Sequence, residues 1–241
     1  MPQRFDAAHH ARTRKRVGER VWGALYMQKS RPPEGGVWKR EWIDSARINA
    51  VQFSAIDMAR IVVAVDPAGG ESTVGDETGV IGVGRDFDRQ LYVLADRSGS
   101  MGANDWGLAA CRHALELKAD AILVEKNYDG DMARQIVTQA WEQLGREGVT
   151  KGLLVPMILE VTAKIGKRLC AAPVAQLYEQ QLVRHVGDYS ELEDQMVTWV
   201  EGMGSPDRMD AAVHGLTELA DPDQLDTLPV DVDDDRFNGR R

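Results

Sequence analysis

From Arg60 onward the chain alternates between short β-branched apolar runs and longer stretches of helical spacing. Ile61-Val62-Val63-Ala64-Val65 is too short for a helix and apolar at every position, which predicts a strand buried on both faces. The run stops at Asp66, and Pro67-Ala68-Gly69-Gly70 ends the strand. Val80-Ile81-Gly82-Val83-Gly84 predicts a second strand and Arg89 to Ala95 a third. Near-helical spacing predicts a helix from Ala103 to Lys118. Ala121-Ile122-Leu123-Val124 predicts a fourth buried strand, ending in Glu125. Met132 to Leu144 predicts a helix and Gly152-Leu153-Leu154-Val155-Pro156 a fifth strand. The pattern then loosens: a helix near Pro173 to Gln180, a short strand within Leu182 to Val186, and a helix from Ser190 to Val200. A last helix runs from Asp207 to Leu219, with Asp207 a good N-cap.

Before Arg60 the chain does not read as a domain. Val21 to Met27 predicts a short helix, and Arg31-Pro32-Pro33-Glu34-Gly35-Gly36 a loop. Trp22, Tyr26, Trp38 and Trp42 need something to pack on, either this chain's own core or another domain. Three parts are expected: a linker-like segment over 1–57, a domain over 58–220 and an acidic, disordered tail over 221–241.

Composition changes this picture little. The 43% hydrophobic and 28% charged residues are those of a globular protein. No apolar run approaches the roughly 20 residues of a membrane span, and the polar N-terminus has no signal core. Cys111 and Cys170 are far apart and form no CxxC, so no disulfide is expected. The net charge of −9 argues against nucleic acid at first. Its distribution weakens that objection: Asp221 to Asp235 is aspartate-rich with no basic residue, whereas Arg12, Arg14, Lys15, Arg16 and Arg20 open the chain.

A strand-end aspartate such as Asp66 reads, alone, as a turn cap. Glu125 ends another strand. If the two strands are parallel neighbours they lie about 4.8 Å apart, and their carboxylates repel. Such a pair keeps a proton or binds a cation. Asp210, in the first turn of the last helix, reaches the same place if that helix packs on the sheet edge. A cluster of carboxylates suits Mg²⁺ or Mn²⁺. The chemistry that uses such clusters is phosphodiester hydrolysis with two ions.

The segments VAVDPAGG, DETGVIGVG, LYVLADRSG, ADAILVEKNYDGDM and SPDRMDAAVHGLTEL together resemble the nuclease domain of the large terminase subunit of tailed bacteriophages. ALYMQKSRPPEGGVWKREWI is similar to the segment that joins that family's ATPase domain to its nuclease. The resemblance covers most of the chain in the right order. It implies a ribonuclease-H-like α/β fold, here a mixed five-stranded sheet flanked by helices. It implies endonucleolytic cutting of concatemeric double-stranded viral DNA in the cytoplasm of an infected bacterium. It also implies metal ligands at Asp66, Glu125 and Asp210, and partners in a terminase ATPase domain or subunit, the small terminase subunit and the portal. No membrane partner is expected.

The sequence departs from that family in part. It contains no GxxxxGK[ST] loop, so no ATPase is expected in this chain. His214 stands where similar sequences often carry tryptophan; one turn after Asp210, it could touch the metal site, but it reads as packed or solvent-facing. Gly215 sits inside a helix, where glycine costs about 1 kcal/mol. Asp207 reads as an N-cap rather than a ligand, Asp76 as a turn residue and Asp131 as a helix cap, while Asn127 could orient a ligand or phosphate. Lys164, Lys167 and Arg168 are the candidate DNA-backbone contacts, or else a solvated face. Alternative readings are a junction resolvase of the same fold, a non-catalytic module that docks on DNA or the portal, and a sugar-kinase-like ATP-binding domain. The last would need glycine-rich phosphate loops in two repeated halves, and only one half is found.

Overall fold

The computed structural model describes residues 36–67, 77–125, 132–161, 167–200 and 206–220, with only the backbone over 167–170. The predicted helix at Val21 to Met27, most of the loop after it, Trp22, Tyr26 and the 221–241 tail lie outside the described residues. The elements are α1 (Arg40–Ala46), α2 (Ala50–Phe53), β1 (Met58–Asp66), β2 (Gly79–Asp86), β3 (Leu91–Asp96), α3 (Ala103–Leu117), β4 (Ala121–Glu125), α4 (Met132–Arg146), β5 (Met157–Val161), α5 (Lys167–Glu179), β6 (Val183–His185), α6 (Ser190–Thr198) and α7 (Asp207–Leu219). No helix among the described residues is long and apolar enough to cross a membrane.

The strands form one mixed sheet in the order β5-β4-β1-β2-β3-β6. β1 runs antiparallel to β2 and parallel to β4, so it sits at the centre. Residues Val62 to Asp66 are all buried, as an apolar run without alternation requires. Successive side chains serve opposite faces. Val62 and Ala64 join Ile81, Val83 and Leu123 in a core covered by α5, α6 and α7. Val63 and Val65 join Val80, Ile122 and Val124 under Trp106, Ala110, Val137 and Leu144 of α3 and α4. Each such side chain contributes about 1.5–3 kcal/mol on burial.

Two strands differ from expectation. The sheet has six strands rather than five, because β6 pairs with β3 at one edge. The fifth strand is Met157–Val161, not Gly152 to Pro156. Lys151 and Gly152 both take positive φ, which turns the chain, and Pro156 has no N–H to give a ladder. Leu154 in that turn is 89% exposed.

The segment before β1 packs on the domain. Trp38 and Ile43 are buried, and the Trp38 ring lies 6.1 Å from that of Trp199. Beside them Glu193 of α6, almost fully buried, accepts hydrogen bonds from Arg47 (2.6 and 2.9 Å), Arg40 (3.0 Å) and His185 Nδ1 (2.9 Å). His185 Nε2 then accepts the Tyr178 hydroxyl at 2.9 Å, which places the imidazole proton on Nδ1. These tryptophan and arginine contacts hold residues 38–47 against this chain's own core.

Candidate active site

The register of two strands sets the site. Val65 lies opposite Val124 in the parallel β1–β4 ladder. The next residue on each strand, Asp66 and Glu125, therefore ends side by side at one sheet edge. Both are buried. Burial pushes the Asp66 carboxyl well above the usual carboxylate range. A hydrogen bond to Glu125 and repulsion from Glu125, Asp210 and Asp207 push it the same way. Burial and these like charges favour the protonated form of Asp66.

Two glycines bring the third acid in. Gly79 is the partner of Asp66 in the β1–β2 ladder. A Cβ there would lie 2.2 Å from the Asp207 carbonyl oxygen and 2.8 Å from the Ala211 Cβ. The first turn of α7 therefore rests directly on the strand pair beside Asp66. Farther along, a Cβ on Gly215 would meet Val83 Cγ2 at 2.7 Å and the Ala64 Cβ at 3.0 Å. The helix-interior glycine flagged by the sequence is the condition for this close approach. Asp210, buried in the first turn, is thereby held within electrostatic reach of Asp66. Acidic groups at that helix end also face its positive pole.

Pro206, not Asp207, is the N-cap of α7, and no side chain caps it. The proline has no N–H of its own to satisfy, so Asp207 becomes the first helical residue. Its charge then adds to the field that raises Asp66.

Two further side chains bear on the site, His214 and Arg208. His214 Nε2 lies 3.7 Å from Glu125 Oε2, with only 18% of the side chain exposed, so it faces the carboxylates. Arg208, 8% exposed, is gripped from β3, from α6 and from the segment just before β2. It reaches Glu77 at 2.8 and 3.1 Å, Asp96 at 2.9 Å and Glu191 at 2.6 Å. That clamp pins the helical turn that carries Asp207 and Asp210. The i+4 spacing from Asp210 was the one signal for His214. Arg208 had none, because its partners are far away in sequence.

Asp66 and Glu125 are in contact and Asp210 stands close by. Among the described residues no three histidine, cysteine or acidic side chains form a closed group around one point. Lys164, Asp76, Asn127 and Asp131 lie outside the described residues. Lys167 and Arg168 open α5, their side chains likewise outside.

No protein-family model matches this sequence, and no curated protein matches it. Solved structures do match the architecture. The nuclease domain of the large terminase subunit gp2 of bacterial virus Sf6 superposes with a TM-score of 0.53 at 14% identity, over 75% of this chain and 98% of that one. The chain has the terminase-nuclease fold. A mutant of the Sf6 domain with calcium gives 0.54 at 15% identity, over the same shares of both chains. Another, with manganese and beta-thujaplicinol, gives 0.51 at 16%, again over 75% and 98%. At such identities the likeness is one of fold. It bears out the ribonuclease-H-like α/β fold expected from the sequence.

Proposed function

We propose that this chain is a divalent-metal-dependent DNA endonuclease of a viral genome-packaging terminase, cutting concatemeric double-stranded DNA by phosphodiester hydrolysis. One observation carries the reading: two buried carboxyls meet at the ends of neighbouring parallel strands, with a third acid delivered by α7. Among the described residues, Glu125, Asp210 and Asp207 all act on Asp66 as like charges and favour its protonated form. That donor set, all hard oxygen, fits Mg²⁺ or Mn²⁺. The fold likeness to the Sf6 nuclease domain, seen there with manganese, supports the same reading.

Asp66, Glu125 and Asp210 would hold the ions, two in this reading. When bound, they supply positive charge that eases deprotonation of the attacking water and offsets charge on the leaving oxygen. The protein's part is placement. Asp66 and Glu125 are fixed by the ladder, and Asp210 by the Gly79 and Gly215 contacts and the Arg208 clamp. Asp66 must give up its proton for the site to load. Lys164, Lys167 and Arg168 are the proposed DNA-backbone contacts. Residues 1–57 are the proposed arm toward a packaging ATPase domain or subunit. The small terminase subunit and the portal are the further proposed partners, in the cytoplasm of the infected bacterium.

The test is plasmid cleavage by purified protein with Mg²⁺, with Mn²⁺ and in excess chelator, run beside a four-way junction. Cleavage in chelator would sink the mechanism. A strong preference for the junction would move the reading to a resolvase.

A further inference from the structure

His214 is not needed to explain the fold. The α7 contact with the sheet is made by Gly215, Ala211, Val213 and Leu216, which are buried. His214 instead turns its Nε2 to Glu125 Oε2 at 3.7 Å, the carboxylate hydrogen-bonded to Asp66. The Gly215 contact leaves α7 little room to withdraw, so the imidazole is held at the mouth of the acidic pair. Two donors at about 2.1 Å from one ion stand at most about 4.2 Å apart. The observed separation falls within that span.

An imidazole nitrogen is a different donor from three carboxylates. Mg²⁺ takes oxygen and dehydrates reluctantly. Nitrogen affinity rises from Mn²⁺ through Co²⁺ to Ni²⁺. We propose that His214 is a metal-selecting donor of this site, joining Glu125 on one ion and favouring Co²⁺ and Ni²⁺, then Mn²⁺, over Mg²⁺. The proposal rests on the carboxylate-site reading above and adds a ligand class to it.

The test uses the full chain in a His9→Asn, His10→Asn background, which removes the adjacent N-terminal imidazoles. Pulsed electron paramagnetic resonance of the Mn²⁺-loaded protein should show nitrogen coupling, altered by ¹⁵N-histidine labelling and lost in His214→Asn. Calorimetric titration should show Co²⁺ binding weakened about tenfold or more by His214→Asn, with Mg²⁺ binding changed less than about twofold. Absence of nitrogen coupling in the unlabelled parent overturns the proposal, and so does an equal loss for every metal. Asp66→Asn separates the two readings. If it leaves metal binding intact, the carboxylate-site reading fails, and the His214 assignment fails with it. If it abolishes binding while the parent shows no nitrogen coupling, only the His214 assignment fails. Circular dichroism of metal-free His214→Asn checks that the variant is folded.

Discussion

Two of the carboxylates that the domain buries, Glu193 in α6 and Asp66 at the end of β1, are treated in opposite ways. Glu193 is only 1% exposed yet sits among cations. Burial pushes its carboxyl up, but hydrogen bonds from His185 and Arg47, and the Arg47 charge, hold it well below the usual range. Asp66 is 4% exposed, and among the described residues burial and the acids Glu125, Asp210 and Asp207 all drive it upward. A buried acid with matched partners stabilises the fold. One surrounded by its own kind is held there at a cost, and folds keep such costs where chemistry needs them.

The sharpest way to break this contrast is Asp66→Asn. It removes one of two opposed carboxyls while keeping the shape. Plasmid cleavage should fall below detection, and the melting temperature should hold or rise. Normal cleavage by the variant would end the functional side of the comparison.

Glu193→Ala should do the reverse. Removing one partner of a buried ion-pair network costs about 3 kcal/mol, read as a lowered urea midpoint. Below that midpoint, cleavage per folded molecule should be near normal. A change of less than about 0.5 kcal/mol would show that the network is ornamental.

Gly215→Ala bears on the close approach itself. Helix propensity gains about 1 kcal/mol, but the added methyl collides with Val83 and Ala64, at about 1–3 kcal/mol. A net loss of about 1 kcal/mol is expected, with cleavage reduced more than stability because Asp210 moves with the helix. A stabilised, fully active variant would contradict the packing described here.

The smallest effect is on pH. Burial lowers His185 below its ordinary 6.5, against the pull of Glu193. Unfolded chains take up that proton first, so stability is complete above about pH 6.5 and declines as pH falls below it. Glu193, lowered from 4.5, adds a second decline below that value. Melting temperature against pH should show both, and His185→Gln should flatten the upper one.

Much of this was legible in the chain. Unbroken β-branched runs marked β1 and β4, because a strand covered on both faces has no polar positions to show. Their terminal acids marked half the site. β5 was misplaced because an edge strand, half covered, is less apolar than the exposed Leu153-Leu154-Val155 turn before it. Asp207 was misread because Pro206 takes the cap. Arg208 stayed hidden for a different reason: its three carboxylate partners come together only in the folded sheet, and no local spacing announces that.

The order of the chain has a consequence for synthesis. β1, β2 and β3 pair with close neighbours in sequence, but β1 must wait for β4, and the site must wait for α7. Local pairings form early and distant ones late. On the ribosome, Asp66 and Glu125 emerge long before Asp210. A chain stalled before Pro206 lacks both the third acid and part of the cover of one core face, so the proposed site is incomplete. If the proposed activity is right, nicking of a plasmid during coupled translation should begin only once α7 has been made.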